Sequence, residues 1–352
     1  MARIFIEGGE HGNVNTLLFT SQSGLQVNAG AMAGFSGAYD MKFNSGYAYG
    51  DITLDQTYSE LYVALKIYPV VRSGNGPGTI CFYDSALTAI GSLFFYYDGS
   101  TYFYVRLMLG AQNSGTILET GATEITPGTV HLLQVRYKPL NTGGIFQVKL
   151  DNQTPLECDY SGDTTAGLEN IKKVRIGANG VDNYQSEFDD VVIDDSEWPG
   201  NTRIQKLQIS GAGTTGEWDA SAGDPYACVD EIPYSDSDYI STNVPGELAT
   251  FACADMTGNV GKVKALQLQG RLLYEGDPAP NKQKLAIRVN GSNYYSGRFT
   301  PGIAVANFRK IWAVNPDDSE AWQEADINAI EIGTRAIQMT STSSTTTTTT
   351  TT

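Results

Sequence analysis

The clearest sign of the fold lies in three successive segments. They are His131-Leu-Leu-Gln-Val-Arg-Tyr-Lys138, Asn141-Thr-Gly-Gly144 and Phe146-Gln-Val-Lys-Leu150. In the first and third, apolar residues occupy every second position. This period of two is typical of a β-strand that buries one face. The glycine-bearing stretch between them is typical of a turn. We therefore predict a β-hairpin over residues 131–151.

The same alternation recurs along the chain. Leu93 to Tyr97 and Tyr102 to Leu107 predict a second hairpin, and Leu285 to Val289 is followed by Asn290-Gly291, a strong signal for a tight hairpin turn. The 38 glycines, 20 tyrosines and 18 % charged residues favour strands and turns over helices. One short helix is predicted at Asp317 to Ile327, where Asp317 and Glu320 have a spacing related to a capping box. The sequence thus predicts an all-β protein.

The length of 352 residues is about twice that of a usual domain. Pro199 and Gly200 interrupt the chain between two apolar strand patterns. We predict a first domain at 1–196, a linker at 197–201, a second β-sandwich domain at 202–339 and a Ser/Thr-rich tail at 340–352. The tail has no apolar residue to bury, so it is expected to be unfolded and dispensable for assembly.

The charge excludes several function classes. The net charge of −16, from 39 acidic and 23 basic residues, argues against nucleic-acid binding, which needs a clustered basic surface.

No apolar run reaches the roughly 18 residues that cross a bilayer, and the first residues have no secretory apolar core. Synthesis in a cytoplasm and no membrane insertion are expected. The four widely spaced cysteines are predicted to be free and buried.

Several short sequence motifs resemble those of known families. The hairpin at 131–151, Val174-Arg-Ile-Gly177 and Phe188-Asp-Asp-Val-Val-Ile193 together resemble the closing half of laminin-G-like, concanavalin A-like domains. In the second half, Glu217-Trp-Asp-Ala-Ser221 and Asn315-Pro-Asp-Asp-Ser-Glu-Ala-Trp322 are similar to phrases of structural proteins of tailed bacteriophages. The resemblance implies two tandem antiparallel β-sandwiches, the first a concanavalin A/laminin-G-like jelly roll. It also implies a virion component, and it supplies no catalytic residue.

The function expected from this resemblance is that of a non-enzymatic virion structural protein, an exterior decoration or tail-associated subunit. It would be made in the host cytoplasm, exposed on the particle exterior, and partnered by copies of itself and other virion proteins. The N-terminal strand Arg3 to Glu7 is expected to pair within its own sheet rather than with a neighbouring subunit. The alternative function is a glycan-binding adhesin, on a phage or on a bacterial surface fibre, with a host-surface glycan as its partner. A glycoside hydrolase is the third hypothesis.

Two sets of candidate site residues follow from these hypotheses. The carboxylates of Asp189, Asp190, Asp194 and Asp195 are candidate calcium ligands, although alternation places Asp189 and Asp190 on opposite faces of a strand. We favour the interpretation that these carboxylates are solvated and flank a buried strand, so no cofactor is predicted. Tyr96, Tyr97, Tyr102 and Tyr104 are candidate glycan contacts, because tyrosine offers an apolar ring and a polar tip. Consecutive aromatic residues on a strand face both ways, so half of them are expected in the core.

The hydrolase hypothesis rests on Glu187-Phe-Asp189, which begins like the E-x-D-x-x-E strand of laminarinase-type enzymes. Val191 and Val192 stand where the third acid is needed. The two histidines, His11 and His131, have no recognisable nucleophile or acid partner in the sequence. We therefore predict no catalytic residue.

Overall fold

The computed structural model divides the chain into two compact units, residues 1–206 and 207–352. The predicted linker 197–201 thus lies within the first unit, and the predicted tail 340–352 lies outside the described residues. The structure describes the following residues: 3–8, 19–29, 35, 39–43, 48–70, 78–97, 99, 101–111, 114–177, 185–231, 235–258, 261–274 and 282–337.

The first unit is built from strands that pair antiparallel throughout. They are β1 (Arg3–Glu7), β2 (Ser21–Ser23), β3 (Leu25–Ala29), β4 (Tyr39–Phe43), β5 (Tyr49–Tyr58), β6 (Leu61–Val70), β7 (Gly78–Tyr83), β8 (Ala89–Tyr97), β9 (Phe103–Leu109), β10 (Thr116–Thr120), β11 (His131–Lys138), β12 (Gly144–Leu150), β13 (Cys158–Gly162), β14 (Ile171–Gly177) and β15 (Gln185–Asp194). The predicted hairpins β8–β9 and β11–β12 are confirmed.

These strands form two sheets packed face to face. One has eight strands in the order β13-β12-β11-β6-β15-β4-β3, with β1 added beside β15, and the other has seven in the order β10-β9-β8-β7-β14-β5-β2. One edge of β15 pairs with β4 along its first half and with β1 along its second half. The N-terminal strand therefore pairs within its own sheet, as predicted.

The core of the first unit lies between the two sheets. Alternate residues of the strands point inward, and the Phe82 ring stacks on the Tyr137 ring at a centroid distance of 4.4 Å. The Tyr137 hydroxyl donates to the Thr164 carbonyl at 2.5 Å. A Cβ on Gly91 would lie 2.5 Å from that hydroxyl oxygen, so the close approach of β8 to this ring requires glycine.

Residues 196–206, here called the covering segment, lie across the outer face of the eight-stranded sheet. The Trp198 ring packs edge-on against Tyr62 at 5.6 Å. The Gly200 N–H donates to the Gln134 side chain at 2.8 Å, and the Ile204 N–H donates to the Asp190 carboxylate at 2.7 Å. The chain after β15 therefore shields one outer face of this unit.

The second unit is also antiparallel. Its strands are β16 (Ile209–Gly216), β17 (Asp219–Ala220), β18 (Ile240–Ser241), β19 (Leu248–Cys253), β20 (Leu266–Leu272), β21 (Lys282–Val289), β22 (Ser292–Tyr295), β23 (Ala306–Trp312) and β24 (Glu331–Ile337). A five-stranded sheet has the order β16-β19-β24-β21-β22, and β20 pairs with β23 in a second sheet. Asn290 and Gly291 both have positive φ, as the predicted tight turn requires.

Aromatic side chains fill the core of the second unit. Leu268 and Trp312 of the β20–β23 sheet pack with Leu285 and Ile287 of the five-stranded sheet. Trp322 is fully buried, and its indole N–H donates to the Trp312 carbonyl at 2.9 Å. The fold class predicted from the sequence, all-β with antiparallel sandwiches, is confirmed.

The helix of the second unit is shorter than predicted and lies later in the chain. It spans α1 (Glu324–Asn328), with a capping box formed by Gln323 and Asp326 instead of Asp317 and Glu320. The Asp317 carboxylate accepts hydrogen bonds from Asn290 and Tyr294 of the β21–β22 hairpin, which holds residue 317 in a turn. No helix in the described ranges has the length and apolar character of a membrane span.

Candidate functional site

The two outer faces of the first unit carry different side chains. On the seven-stranded sheet, residues that alternate with the core form what we call the aromatic–cationic face. Its members are Tyr49, Asp51, Tyr83, Phe94, Tyr96, Tyr104, Arg106, Lys173 and Arg175. It consists of two groups of residues, the ion-pair patch on β5, β7 and β14 and the Arg106 patch on β8 and β9.

The ion-pair patch is centred on Asp51. Arg175 donates from Nε and Nη2 to the two Asp51 carboxylate oxygens at 2.6 and 2.8 Å, and Lys173 Nζ lies 3.1 Å from Oδ2. The Arg175 guanidinium lies 3.7 Å from the Tyr49 ring centroid, and Lys173 Nζ lies 4.0 Å from that of Tyr83. This group holds two cations and one carboxylate against two aromatic rings.

Burial and charge set the protonation of this patch. Burial alone raises the pKa of Asp51, but hydrogen bonds and charge from Arg175 and Lys173 outweigh it and leave the pKa below its usual value. Burial also raises the pKa of the Tyr83 hydroxyl and raises that of the neighbouring Cys81 thiol to about 11. At neutral pH the carboxylate is therefore ionised, while the phenol and the thiol keep their protons.

The Arg106 patch combines a cation with three aromatic rings. Tyr96 and Tyr104 are directly opposite each other on β8 and β9, and Phe94 is opposite Arg106. The Arg106 guanidinium carbon lies 3.4 Å from the Tyr96 ring centroid and 5.8 Å from that of Phe94. All four side chains are partly exposed. The patch thus presents flat apolar rings beside hydrogen-bond donors.

The structure separates the four candidate tyrosines. Tyr96 and Tyr104 lie on the aromatic–cationic face, and the Tyr104 hydroxyl is 3.4 Å from Glu124. Tyr97 instead packs against the core, with its ring centroid 5.4 Å from that of Phe103. Tyr102 is partly exposed and precedes β9. The expectation that consecutive aromatic residues divide between the core and the surface agrees with these positions.

The candidate calcium ligands lie on the opposite sheet and have protein partners. Asp190 Oδ2 is 2.9 Å from Lys66 Nζ, and Asp194 Oδ2 is 3.4 Å from Arg3 Nε. Asp189 accepts a hydrogen bond from the Asp190 N–H at 2.7 Å, and Asp195 follows the end of β15, partly exposed. Among the described residues, no group of three or more carboxylate, histidine or cysteine side chains is arranged to hold a metal ion.

A bulge modifies the alternation expected for Asp189 and Asp190. The pairing register of β15 with β6 shifts between Asp189 and Val192, and Asp190 has φ +52. A Cβ on Gly8 would lie 3.5 Å from the Asp189 carboxylate and 3.1 Å from Ile204, whose N–H binds Asp190. Both carboxylates therefore lie near residue 204, and the prediction that they face opposite sides of the strand is wrong at this bulge.

The hydrolase candidates belong to this same covered face. Glu187 is 7 % exposed and 3.1 Å from Lys42, and Asp189 is fully buried. His131 begins β11 and lies 2.8 Å from Asp151, while His11 lies outside the described residues. These positions leave Glu187 and Asp189 little surface for contact with a sugar.

Sequence reasoning missed the ion-pair patch. Lys173 and Arg175 alternate with Val174 and Ile176, which is a visible strand signal. Their partner Asp51 is more than a hundred residues away, and it meets Arg175 only because β14 pairs with β5. Without the strand order, no local pattern identifies this contact.

Comparisons with known proteins gave structural neighbours and no sequence relatives. No family model matches the chain, and no curated protein matches it. The chain is similar to an alginate lyase solved with an alginate tetrasaccharide, at 12 % identity and a TM-score of 0.36 over 57 % of this chain and 95 % of the other.

Two further neighbours share the all-β architecture. A carbohydrate-binding module from Bacillus subtilis is 12 % identical, with a TM-score of 0.31 over 49 % of this chain and 97 % of the module. The carbohydrate recognition domain of Emp47p is 13 % identical, with a TM-score of 0.34 over 54 % of this chain and 95 % of that domain. Similarity at this level supports no inference about the site, whose chemistry depends on the residues described above.

Proposed function

We propose that this protein binds glycans without catalysis, and that the aromatic–cationic face is the binding surface. The observation that carries the proposal is the Arg106 patch, where Tyr96 and Tyr104 lie opposite each other, partly exposed, beside Arg106. This supports the adhesin hypothesis over the structural role expected first from the sequence.

The arrangement suits a sugar for physical reasons. A pyranose ring has an apolar C–H face that packs on an aromatic ring, and a rim of hydroxyls that need hydrogen-bond partners. Tyr96 and Tyr104 provide the rings, while Arg106 and Thr120, joined by a 3.2 Å hydrogen bond, provide polar groups beside them. Because these residues are mounted on paired strands, little ordering is required on binding.

The protonation states support binding without turnover. Asp51 is held ionised by Arg175 and Lys173, so it has no proton to donate to a leaving group. Burial keeps Tyr83 protonated, which makes it a poor base. We expect no release of reducing ends or unsaturated products when the purified chain is incubated with a glycan that it binds.

A glycan array followed by calorimetry tests the proposal. We expect the Tyr96→Ala/Tyr104→Ala double variant to lose at least ten-fold in affinity for the glycan bound by the unmodified chain. Tyr68→Ala is the matched control, because Tyr68 is a partly exposed tyrosine on β6 of the other sheet. Equal losses in both variants, or no glycan bound at all, would contradict the proposal.

A virion location is a second proposal, supported by the resemblance of Glu217 to Ser221 and Asn315 to Trp322 to tailed-phage structural proteins. In this proposal, copies of the chain assemble with each other and with other virion proteins on the particle exterior. Electron microscopy of native particles labelled with an antibody to the chain tests it. Repeated exterior labelling is expected, and purification of the native chain as an isolated monomer would count against it.

A further inference from the structure

Arg106 has unused hydrogen-bonding capacity. Its Nε donates to Thr120 Oγ1 at 3.2 Å, and its guanidinium packs on Tyr96 and Phe94. In the described part of the chain, its two Nη groups have no hydrogen-bond partner and no carboxylate lies within ion-pair distance. A guanidinium stacked on a ring still presents N–H donors along its edge, and these donors match a planar carboxylate.

Other arginines of this acidic chain are paired with carboxylates. Arg136 lies 2.5 Å from Glu60, Arg175 lies 2.6 Å from Asp51, and Arg271 lies 2.7 Å from Asp236. Among the described arginines, Arg203, Arg298 and Arg335 also have no carboxylate within ion-pair distance, but of these four only Arg106 lies on the aromatic–cationic face. The anion missing at Arg106 is therefore one that a ligand can supply.

We infer that the glycan bound by the aromatic–cationic face is acidic, and that Arg106 binds the carboxylate of a uronate-type sugar. This inference rests on the proposed function and adds the ligand class. Tyr96 and Tyr104 pack on the sugar ring, and the Arg106 Nη groups donate to its carboxylate. Neutral sugars lack a group that uses this charge.

The ion-pair patch supports the same ligand class. Two cations share the one carboxylate of Asp51 there, so the patch has a positive local charge. Arg175 and Arg106 stand on strands separated by β7 and β8, that is, three strand spacings or about 14 Å apart. An extended acidic oligosaccharide lying across the strands would have positive charge near both ends.

The test compares sugars that differ only in charge. Oligogalacturonates and oligomannuronates are titrated into the full chain by calorimetry, each beside its methyl-esterified form. We expect at least one free acid to bind at least ten-fold more tightly than its ester, and to bind several-fold more weakly as salt rises from 50 to 500 mM.

Variants assign the effect to Arg106. Arg106→Gln is expected to weaken binding of the free acid ten-fold or more and binding of the ester by less than about three-fold, because glutamine keeps a hydrogen-bond donor but no charge. Arg106→Lys keeps the charge without the planar guanidinium. Its affinity for the free acid is expected to lie between those of the unmodified chain and Arg106→Gln. Arg136→Gln is the matched control, because Arg136 also lies over a tyrosine ring, Tyr62 at 5.7 Å, but on the other sheet. It removes the same charge and should change affinity less than two-fold.

The outcomes separate this inference from the proposed function. Ester and acid bound equally, no oligouronate bound, or Arg106→Gln and Arg136→Gln with equal effects would each overturn the inference. If binding of neutral glycans on the array still requires Tyr96 and Tyr104, the proposed function holds and only the acidic-ligand inference is wrong. If no glycan is bound, both the proposed function and the inference are wrong. Circular dichroism of each variant verifies the fold, and Arg106→Lys remains informative if Arg106→Gln is unstable.

Discussion

The two sheets of the first unit have the same alternation of core and surface residues, but the side chains on their outer faces differ in pairing and exposure. On the eight-stranded sheet, charged side chains pair with each other, as Lys66 does with Asp190, and Ile204 of the covering segment donates its N–H to Asp190. On the seven-stranded sheet, Arg106 lies among partly exposed rings and has no carboxylate partner in the described ranges. Charges are paired on both faces, as Asp51 is with Arg175 on the second, but the Arg106 patch keeps hydrogen-bond donors available for a ligand.

The strongest perturbation of the covered face is Asp190→Asn. Asp190 is 2 % exposed, and its loss leaves Lys66 without that carboxylate, while asparagine tolerates the positive φ and keeps an acceptor for Ile204. We expect the free energy of unfolding to fall by about 4 kcal/mol in urea titrations, with glycan affinity within two-fold. The double variant Lys66→Met/Asp190→Asn should recover part of the loss. A ten-fold loss of glycan affinity in Asp190→Asn would show that the faces are not independent.

Asp51→Asn applies the same chemistry to the aromatic–cationic face. Removing the carboxylate between Arg175 and Lys173 is expected to cost about 3 kcal/mol at pH 7. The pKa of Asp51 is lowered in the folded state, so its stabilisation is present above the unfolded-state pKa and is lost as pH falls through the folded-state value. The difference from the unmodified chain should therefore stay constant from pH 8 to about 5 and shrink below about pH 4. A difference that grows on acidification would contradict the assignment.

Trp198→Ala tests the covering segment itself. The ring packs on Tyr62, and Lys149 Nζ lies 4.4 Å from its centroid. Because the side chain is only partly buried, we expect a loss of about 2 kcal/mol in the free energy of unfolding. Trp198→Phe keeps an aromatic ring and should lose less than half as much. Equal losses would indicate that ring packing is not the source.

The smallest expected effect is that of Glu124→Gln. Glu124 lies 3.4 Å from the Tyr104 hydroxyl, so its charge opposes binding of an acidic sugar nearby. We expect affinity for oligogalacturonate to rise about two-fold, because Glu124 is exposed and its repulsion acts through water. The free energy of unfolding should change by less than about 0.5 kcal/mol. A weaker affinity would instead mean that Glu124 accepts a hydrogen bond from the sugar.

The sequence predicted the features that depend on neighbouring residues. The β11–β12 hairpin, the Asn290-Gly291 turn and the division of Tyr96 from Tyr97 all follow from alternation and turn chemistry. It did not predict the pairing of Asp51 with Arg175, which depends on strand order. It also misplaced the helix, because the Asp317 carboxylate binds the β21–β22 hairpin instead of capping a helix. The bulge at Asp190 similarly depends on pairing with β6, which has no local sequence signal.

The position of β15 has a consequence for synthesis. Three strands made much earlier, β1, β4 and β6, all pair with β15, the last strand of the first unit. Until the ribosome has released residue 194, those strands emerge with open edges, and such edges are prone to pair with other chains. A nascent chain that stalls before residue 185 would expose them together. The first unit is thus completed late in its translation. We expect its yield to depend on keeping those strand edges from pairing with other chains until then.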